Sequence, residues 1–258
     1  MLDWNRDIYF ENQLKEPLNK LSRKQKAQFA LLCAIRVLPL ISVKHFKQWE
    51  QGKIKEYLIK IFMTINLCAG HIKDMLADKN YLFLTEVPFL VDITENGAKR
   101  YVENNPNDHN ANSVYAAAYV VQAVYYLSET VWTFDNSYDT DSEYIDGRVN
   151  FVVNNAISAF STIFTGHNAY RASRFQEFIE NDIYRILNNE TEGYDNDYSL
   201  YNDLWQVFQN DLRRIGLSLI ADDYEILFFK NYQFNETVLF GRVVDHQDVI
   251  DKINRSKS

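Results

Sequence analysis

The sequence predicts an all-α fold, and three observations carry that prediction. Chain breakers are scarce: 8 Gly and 4 Pro in 258 residues, where average usage gives roughly 18 and 13. Apolar residues recur at helical spacing, most plainly in Ile54, Tyr57, Leu58, Ile61, Phe62, Ile65 and Cys68. The third is the stretch Asn112 to Thr133, NSVYAAAYVVQAVYYLSETVWT, apolar on nearly every face. Ala116, Ala117, Ala118 and Ala123 let neighbouring helices approach closely there, and Val, Leu and Tyr side chains fill the gaps around them. A helix apolar all round is either buried in a protein or spans a membrane. The run Val114 to Leu127 is 14 residues, broken by Gln122, short of the roughly 18–20 that a span needs. It reads as the central helix of a single all-helical domain over residues 1–258.

Taken in order, Trp4, Ile8, Tyr9, Leu14, Leu18 and Leu21 fall at loosely helical spacing. Ser22 is placed to cap the next helix, which carries Phe29, Leu32, Ile35 and Arg36 and which Pro39 should end. Arg36, inside an apolar helix, reads as a snorkelling or salt-bridged structural residue. Gly70 suits the C-cap of the 53–69 helix. Tyr81–Thr94 mixes strand-favouring residues with Pro88 and is read as a short helix or irregular insertion. The Asn-rich segment 95–112, with Pro106, reads as a loop. Asp135–Gly147 reads as an acidic loop, followed by an apolar helix over Val149–Phe164. Phe175, Phe178, Ile179, Ile183, Ile186 and Leu187 make an amphipathic stripe. A second acidic loop, Glu190–Asp203, precedes a helix bearing Leu204, Val207, Phe208, Leu212 and Ile215. After a further helix through Phe229, the tail is expected to contain a short strand at TVLFGRVV.

Composition bounds function. The formal net charge is −8 and the pI about 5.2, which argues against a nucleic-acid partner, since that needs a basic footprint. The charge is uneven. Residues 11–60 hold 11 Lys or Arg against 4 Asp or Glu, whereas residues 177–203 hold 8 acidic residues against Arg185. The two cysteines, Cys33 and Cys68, lie in apolar helical patterns, so buried free thiols in a reducing compartment are expected. MLDWNRDIYFENQ lacks the basic start and apolar run of a signal peptide, so the expected location is the cytoplasm, with no membrane association.

No motif declares a chemistry. The five histidines are scattered, without metal-ligand spacing, and no nucleophile elbow or phosphate loop occurs. Asp139-x-Asp141-x-Glu143 starts like a calcium loop, but Tyr144 replaces the turn glycine and Asn150 the bidentate glutamate. No cofactor and no metal are expected. Tyrosine beside carboxylate suits a protein interface. The candidate partner-binding residues are therefore Asp135, Asp139, Asp141, Glu143 and Tyr144 in the first acidic segment, with Glu192, Tyr194, Asp195, Asp197, Tyr198 and Tyr201 in the second. Two other readings stand beside this one. One is a helical regulatory module that associates through exposed aromatics. The other is a carboxylate-based hydrolase, which would need Asp or Glu side chains pointing into the core, such as Glu129 with Glu177 or Glu180.

Two segments carry a family resemblance. QKAQFALLCAIRVLP, Gln25 to Pro39, is similar to the opening helix of several all-helical bacterial immunity proteins, where a basic residue precedes a Leu/Ala/Ile run with an LP ending. SVYAAAYVVQAVYYLSE, Ser113 to Glu129, resembles the Ala-rich helix of the same group, which an Asp-rich loop follows. The group is immunity family five of polymorphic toxin systems. The resemblance covers about 60 of the 258 residues and rests on packing patterns. Residues 71–112 read as an insertion relative to it, and the C-terminal third has no counterpart. It implies a cytoplasmic antidote, made beside a toxin and blocking that toxin by binding, with no catalytic residues of its own.

Overall fold

The computed structural model describes residues 14–41, 58, 60–62, 64, 65, 68, 72, 96, 98–106, 111–132, 142–163, 179–184, 186–188 and 199–214. At 132, 142, 143, 163, 199–205 and 211 the backbone alone is described. The described residues form helices and turns, with no strand among them. Five helices have defined bounds: α1 (Lys15–Asn19), α2 (Arg23–Val37), α3 (Ala111–Trp132), α4 (Ser142–Ile163) and α5 (Ser199–Arg214). The fold is all-α. None of the helices is long and apolar enough, among the described residues, to cross a membrane.

α2 begins where its local chemistry says it should. Ser22 Oγ accepts from the Gln25 backbone N–H at 3.3 Å, and Gln25 Oε1 accepts from the Ser22 backbone N–H at 2.9 Å. This capping box satisfies two amides that the first helical turn leaves unpaired. At the other end Pro39 cannot continue the ladder, and the chain tightens into a 3-10 turn, Leu38–Leu40. Every residue from Lys26 to Val37 is buried. The α2 helix is thus enclosed around its whole circumference, although it carries Lys26, Gln28 and Arg36.

Polar hooks resolve that conflict. The Arg36 guanidinium grips Asp182 through both carboxylate oxygens, Nε to Oδ2 at 2.7 Å and Nη2 to Oδ1 at 2.8 Å. The two side chains are 4% and 0% exposed. A buried charge is tolerated when a geometrically matched partner and full hydrogen bonding offset its desolvation. Lys26 pairs through its ammonium with Asp146 on α4, whose carboxylate is only partly buried. Gln25 Nε2 donates to the Ile186 carbonyl at 3.1 Å. Arg36 is therefore the salt-bridged structural arginine that its sequence position suggested.

α3 and α4 make the most extensive helix–helix contact, and both also pack on α2. They are antiparallel: a step from Glu129 back to Tyr126 on α3 matches a step from Arg148 forward to Phe151 on α4. Ala116, Ala117, Ala118 and Ala123 of α3 are buried, as are Val149, Val152, Val153 and Ala156 of α4. The alanines of α3 leave room into which the α4 valines pack. The buried polar side chains of the pair bond one turn back along their own helix, Thr130 to the Tyr126 carbonyl and Asn155 to the Phe151 carbonyl, each at 2.8 Å. Leu58, Ile61, Phe62, Ile65 and Cys68 are helical and buried, as their spacing predicts. Phe62 meets Phe208 of α5 with ring centroids 6.4 Å apart, and α5 also contacts the Leu38–Leu40 turn. Ile179, Ile183 and Ile186 supply the buried stripe of the helical residues 179–188. Cys33 and Cys68 are buried free thiols.

Several boundaries differ from the sequence reading. Residues 98–104, expected to be loop, are helical, because Ala98 and Tyr101 pack one turn apart against Val114 and Ala118 of α3. Asn105 closes that helix onto the Tyr101 carbonyl through both its backbone and its side chain, and Pro106 follows. α4 starts at Ser142, seven residues before the expected Val149. The supposed loop residues include buried Ile145 and Asp146, which is held by Lys26. α5 likewise takes in Ser199–Asp203 of the second acidic segment. Val207, placed on the apolar stripe, is 61% exposed, while Gln209 is 2% exposed. Ile72 is helical and buried two residues past the expected C-cap Gly70. The readings on Tyr81–Thr94 and on the tail after Asp222 lie outside the described residues.

Candidate interaction surface

The helix read as apolar all round has one edge that reaches solvent. Tyr115, Tyr119, Gln122, Tyr126 and Glu129 recur at i, i+4, i+7, i+11 and i+14 of α3 and so share one line along it. Tyr115 is 37% exposed and the other four are half-buried. Tyrosine was counted as core by its ring, but its hydroxyl draws it to the boundary, where one end is apolar and the other wet. On α4, Tyr144, Arg148 and Phe151 follow at i, i+4 and i+7, with Tyr144 40% and Phe151 46% exposed.

These two lines meet in one cluster. Phe151 stacks on Tyr126 at 4.8 Å with 22° between the planes. Tyr125 tilts against Tyr126 at 5.0 Å. The Arg148 guanidinium lies 4.9 Å from the Tyr144 ring centroid and 5.9 Å from that of Tyr126. Its Nη2 donates to the Tyr144 hydroxyl at 2.7 Å, and its Nη1 forms an ion pair with Glu129. The Tyr125 hydroxyl donates to the other Glu129 oxygen. Burial, then the bond to Glu129, push the Tyr125 phenol up to about 12. Arg148 Nε is buried and finds no acceptor among the described residues. Cation and carboxylate thus neutralise each other beneath a set of fixed, partly exposed rings. That composition is what protein interfaces concentrate: aromatics and arginine, with little uncompensated charge at the centre.

Of the residues the sequence singled out, Tyr144 belongs to this cluster. Glu143 precedes it on the first turn of α4, and Tyr201 lies on the first turn of α5, each described by backbone alone. Asp135, Asp139, Asp141, Glu192, Tyr194, Asp195, Asp197 and Tyr198 lie outside the described residues. Glu143 and Tyr144 were read as loop residues and are helical. Tyr126, Glu129, Arg148 and Phe151 were missed as surface residues. The signal for Arg148 and Phe151 was present in their spacing from Tyr144. It was hidden because Asp135–Gly147 reads as a loop.

Glu129, named as one half of a carboxylate pair, is engaged by Arg148 and Tyr125, and Glu177 lies outside the described residues. No group of three or more His, Cys, Asp or Glu side chains among the described residues is placed to hold a metal. No family model, no curated protein and no solved structure matches the chain.

Proposed function

We propose that this protein acts by binding another protein, as a cytoplasmic immunity-type inhibitor that occludes a basic toxin or effector. The observation that carries the reading is the exposed aromatic cluster of Tyr126, Tyr144 and Phe151, built around an internally neutralised Arg148–Glu129 pair. Rings held in place before contact present large apolar area at low ordering cost. The residues joining α3 to α4 strengthen it. They carry Asp135, Asp139 and Asp141 and no Lys or Arg, and opposite charge on a partner would raise the association rate and select against wrong partners. The resemblance to immunity proteins falls on Gln25–Pro39 and Ser113–Glu129, that is on α2 and α3, two helices that pack on each other. Both acidic segments, including Glu192, Asp195 and Asp197, are assigned to the contact region.

The resemblance implies a toxin made beside its antidote, and this sets the experiment. The product of the adjacent reading frame is expressed alone and together with this chain. Growth arrest by the neighbour, relieved by co-expression and accompanied by a complex on gel filtration, is the expected result. Reversal of Asp139, Asp141, Asp195 and Asp197 to Lys should weaken that complex with the fold intact. Unchanged affinity would remove the acidic segments from the contact.

A further inference from the structure

We infer that Glu129 is the positioning residue of the aromatic surface: it holds Arg148, and Arg148 holds the rings of Tyr126, Tyr144 and Phe151 in the arrangement that a partner meets. This rests on the inhibitor reading and deepens it, by naming the residue that sets how long the complex lasts while acting on the contact at one remove. The rings are ordered in series. Phe151 is stacked on Tyr126. The Arg148 guanidinium lies over the Tyr126 ring, and it both lies over the Tyr144 ring and donates to the Tyr144 hydroxyl. One guanidinium thus orients two rings directly and the third through Tyr126.

An arginine side chain has much rotamer freedom to lose, so something must fix this one. Glu129 does so from α3, through the ion pair to Nη1, and Glu129 is itself fixed by the Tyr125 hydroxyl one turn back on its own helix. The two side chains of the pair are 24% and 22% exposed, so salt and water screen it only in part. The planar guanidinium serves carboxylate, hydroxyl and ring faces at once, which an ammonium could not do. Without the carboxylate, a partly buried cation is left uncompensated, and its head group gains by turning out into water. Tyr144 then loses the donor that fixes it, and Tyr126 loses the cation over its ring. Loosened rings must be ordered again when a partner binds, and that ordering lowers affinity.

The test compares the full-length wild type with Glu129→Ala, Arg148→Met, the double variant and the control Val207→Ala, on an exposed α5 position. Far-ultraviolet circular dichroism confirms that each is folded, and Glu129→Gln replaces Glu129→Ala should that variant melt. Ring order is read in the chain without a partner, by NMR of ring-labelled tyrosine with Tyr126 and Tyr144 assigned from their Phe variants. The dissociation rate is read in the complex with the product of the adjacent reading frame. Each single variant should move the Tyr126 and Tyr144 signals towards unstructured positions and raise the dissociation rate about tenfold, as loss of a central anchor does. The double variant should go no further than either, because the two residues act in one chain of contacts. Unmoved ring signals in Glu129→Ala overturn the inference whether or not the neighbour binds, and leave the inhibitor reading standing. So does a double variant that binds like wild type, since uncovered charge and not ring order would then be what weakens Glu129→Ala. Moved ring signals with an unchanged dissociation rate also overturn it, by showing that the complex does not use these rings. A neighbour that does not bind wild type overturns the inhibitor reading, and the role of Glu129 in a complex falls with it.

Discussion

Gly147 stands in the interior of α4, where a glycine weakens a helix through the backbone freedom it surrenders. A Cβ built at that position meets nothing within 4 Å. Gly147→Ala is therefore expected to stabilise the protein by about 0.5–1 kcal/mol, seen as a higher urea midpoint at unchanged slope. An unchanged or lower midpoint would overturn that expectation. The same residue shows why the acidic segment was misread. Asp141, Ser142, Asp146 and Gly147 are turn formers by propensity, but Ile145 is buried and Asp146 is held by Lys26, 120 residues away. Local chemistry argued for a loop and a distant lysine decided for a helix. Where the decisive interaction is itself local, the sequence was sufficient: Ser22 and Gln25 are three residues apart, and their capping box forms as their types predict.

At the scale of elements, the Arg36–Asp182 pair sets how the 179–188 helical residues sit against α2. Its bidentate geometry admits few orientations, whereas the surrounding Ile and Leu contacts are tolerant of sliding. Asp182→Ala should cost about 3–5 kcal/mol, because it removes the bidentate carboxylate partner of a buried guanidinium. The double variant Arg36→Met with Asp182→Leu should recover most of that loss, measured by urea melts of both proteins. A double variant as unstable as the single one would show that the pair contributes net stability and not chiefly specificity. Asp182 could not be found from the sequence, since an acidic residue on an amphipathic stripe resembles any solvated face position until its partner 146 residues away is known. The periodicity of α2, α3 and the 58–72 residues was legible for the opposite reason: burial against neighbours leaves its mark on every third or fourth position. The aromatic cluster lay between these cases. Its spacing on α3 and α4 was visible, but which edge of an apolar helix faces water depends on what covers the other edges.

The whole molecule offers two internal reporters of its integrity. Cys33 lies on α2 and Cys68 among the 58–72 residues, and burial pushes both thiols up from their ordinary range. Thiolate is the reactive form, so labelling by a small disulfide reagent at neutral pH should be silent in the native state. If the helices unfold as one cooperative unit, both thiols should be labelled with one rate constant that follows global unfolding. Two rates would divide the bundle into parts of different stability. Gln25 carries a further consequence of how the molecule is tied together. Its side-chain oxygen closes the cap three residues away, while its side-chain nitrogen reaches the Ile186 carbonyl 161 residues along the chain. The first bond can form as soon as α2 is nucleated. The second needs the two ends of a 161-residue separation to be brought together first, an entropic cost that the other long-range contacts between α2 and residues 179–188 share. One glutamine side chain thus spans two scales of the fold, its oxygen serving the local start of a helix and its nitrogen the closure of the bundle.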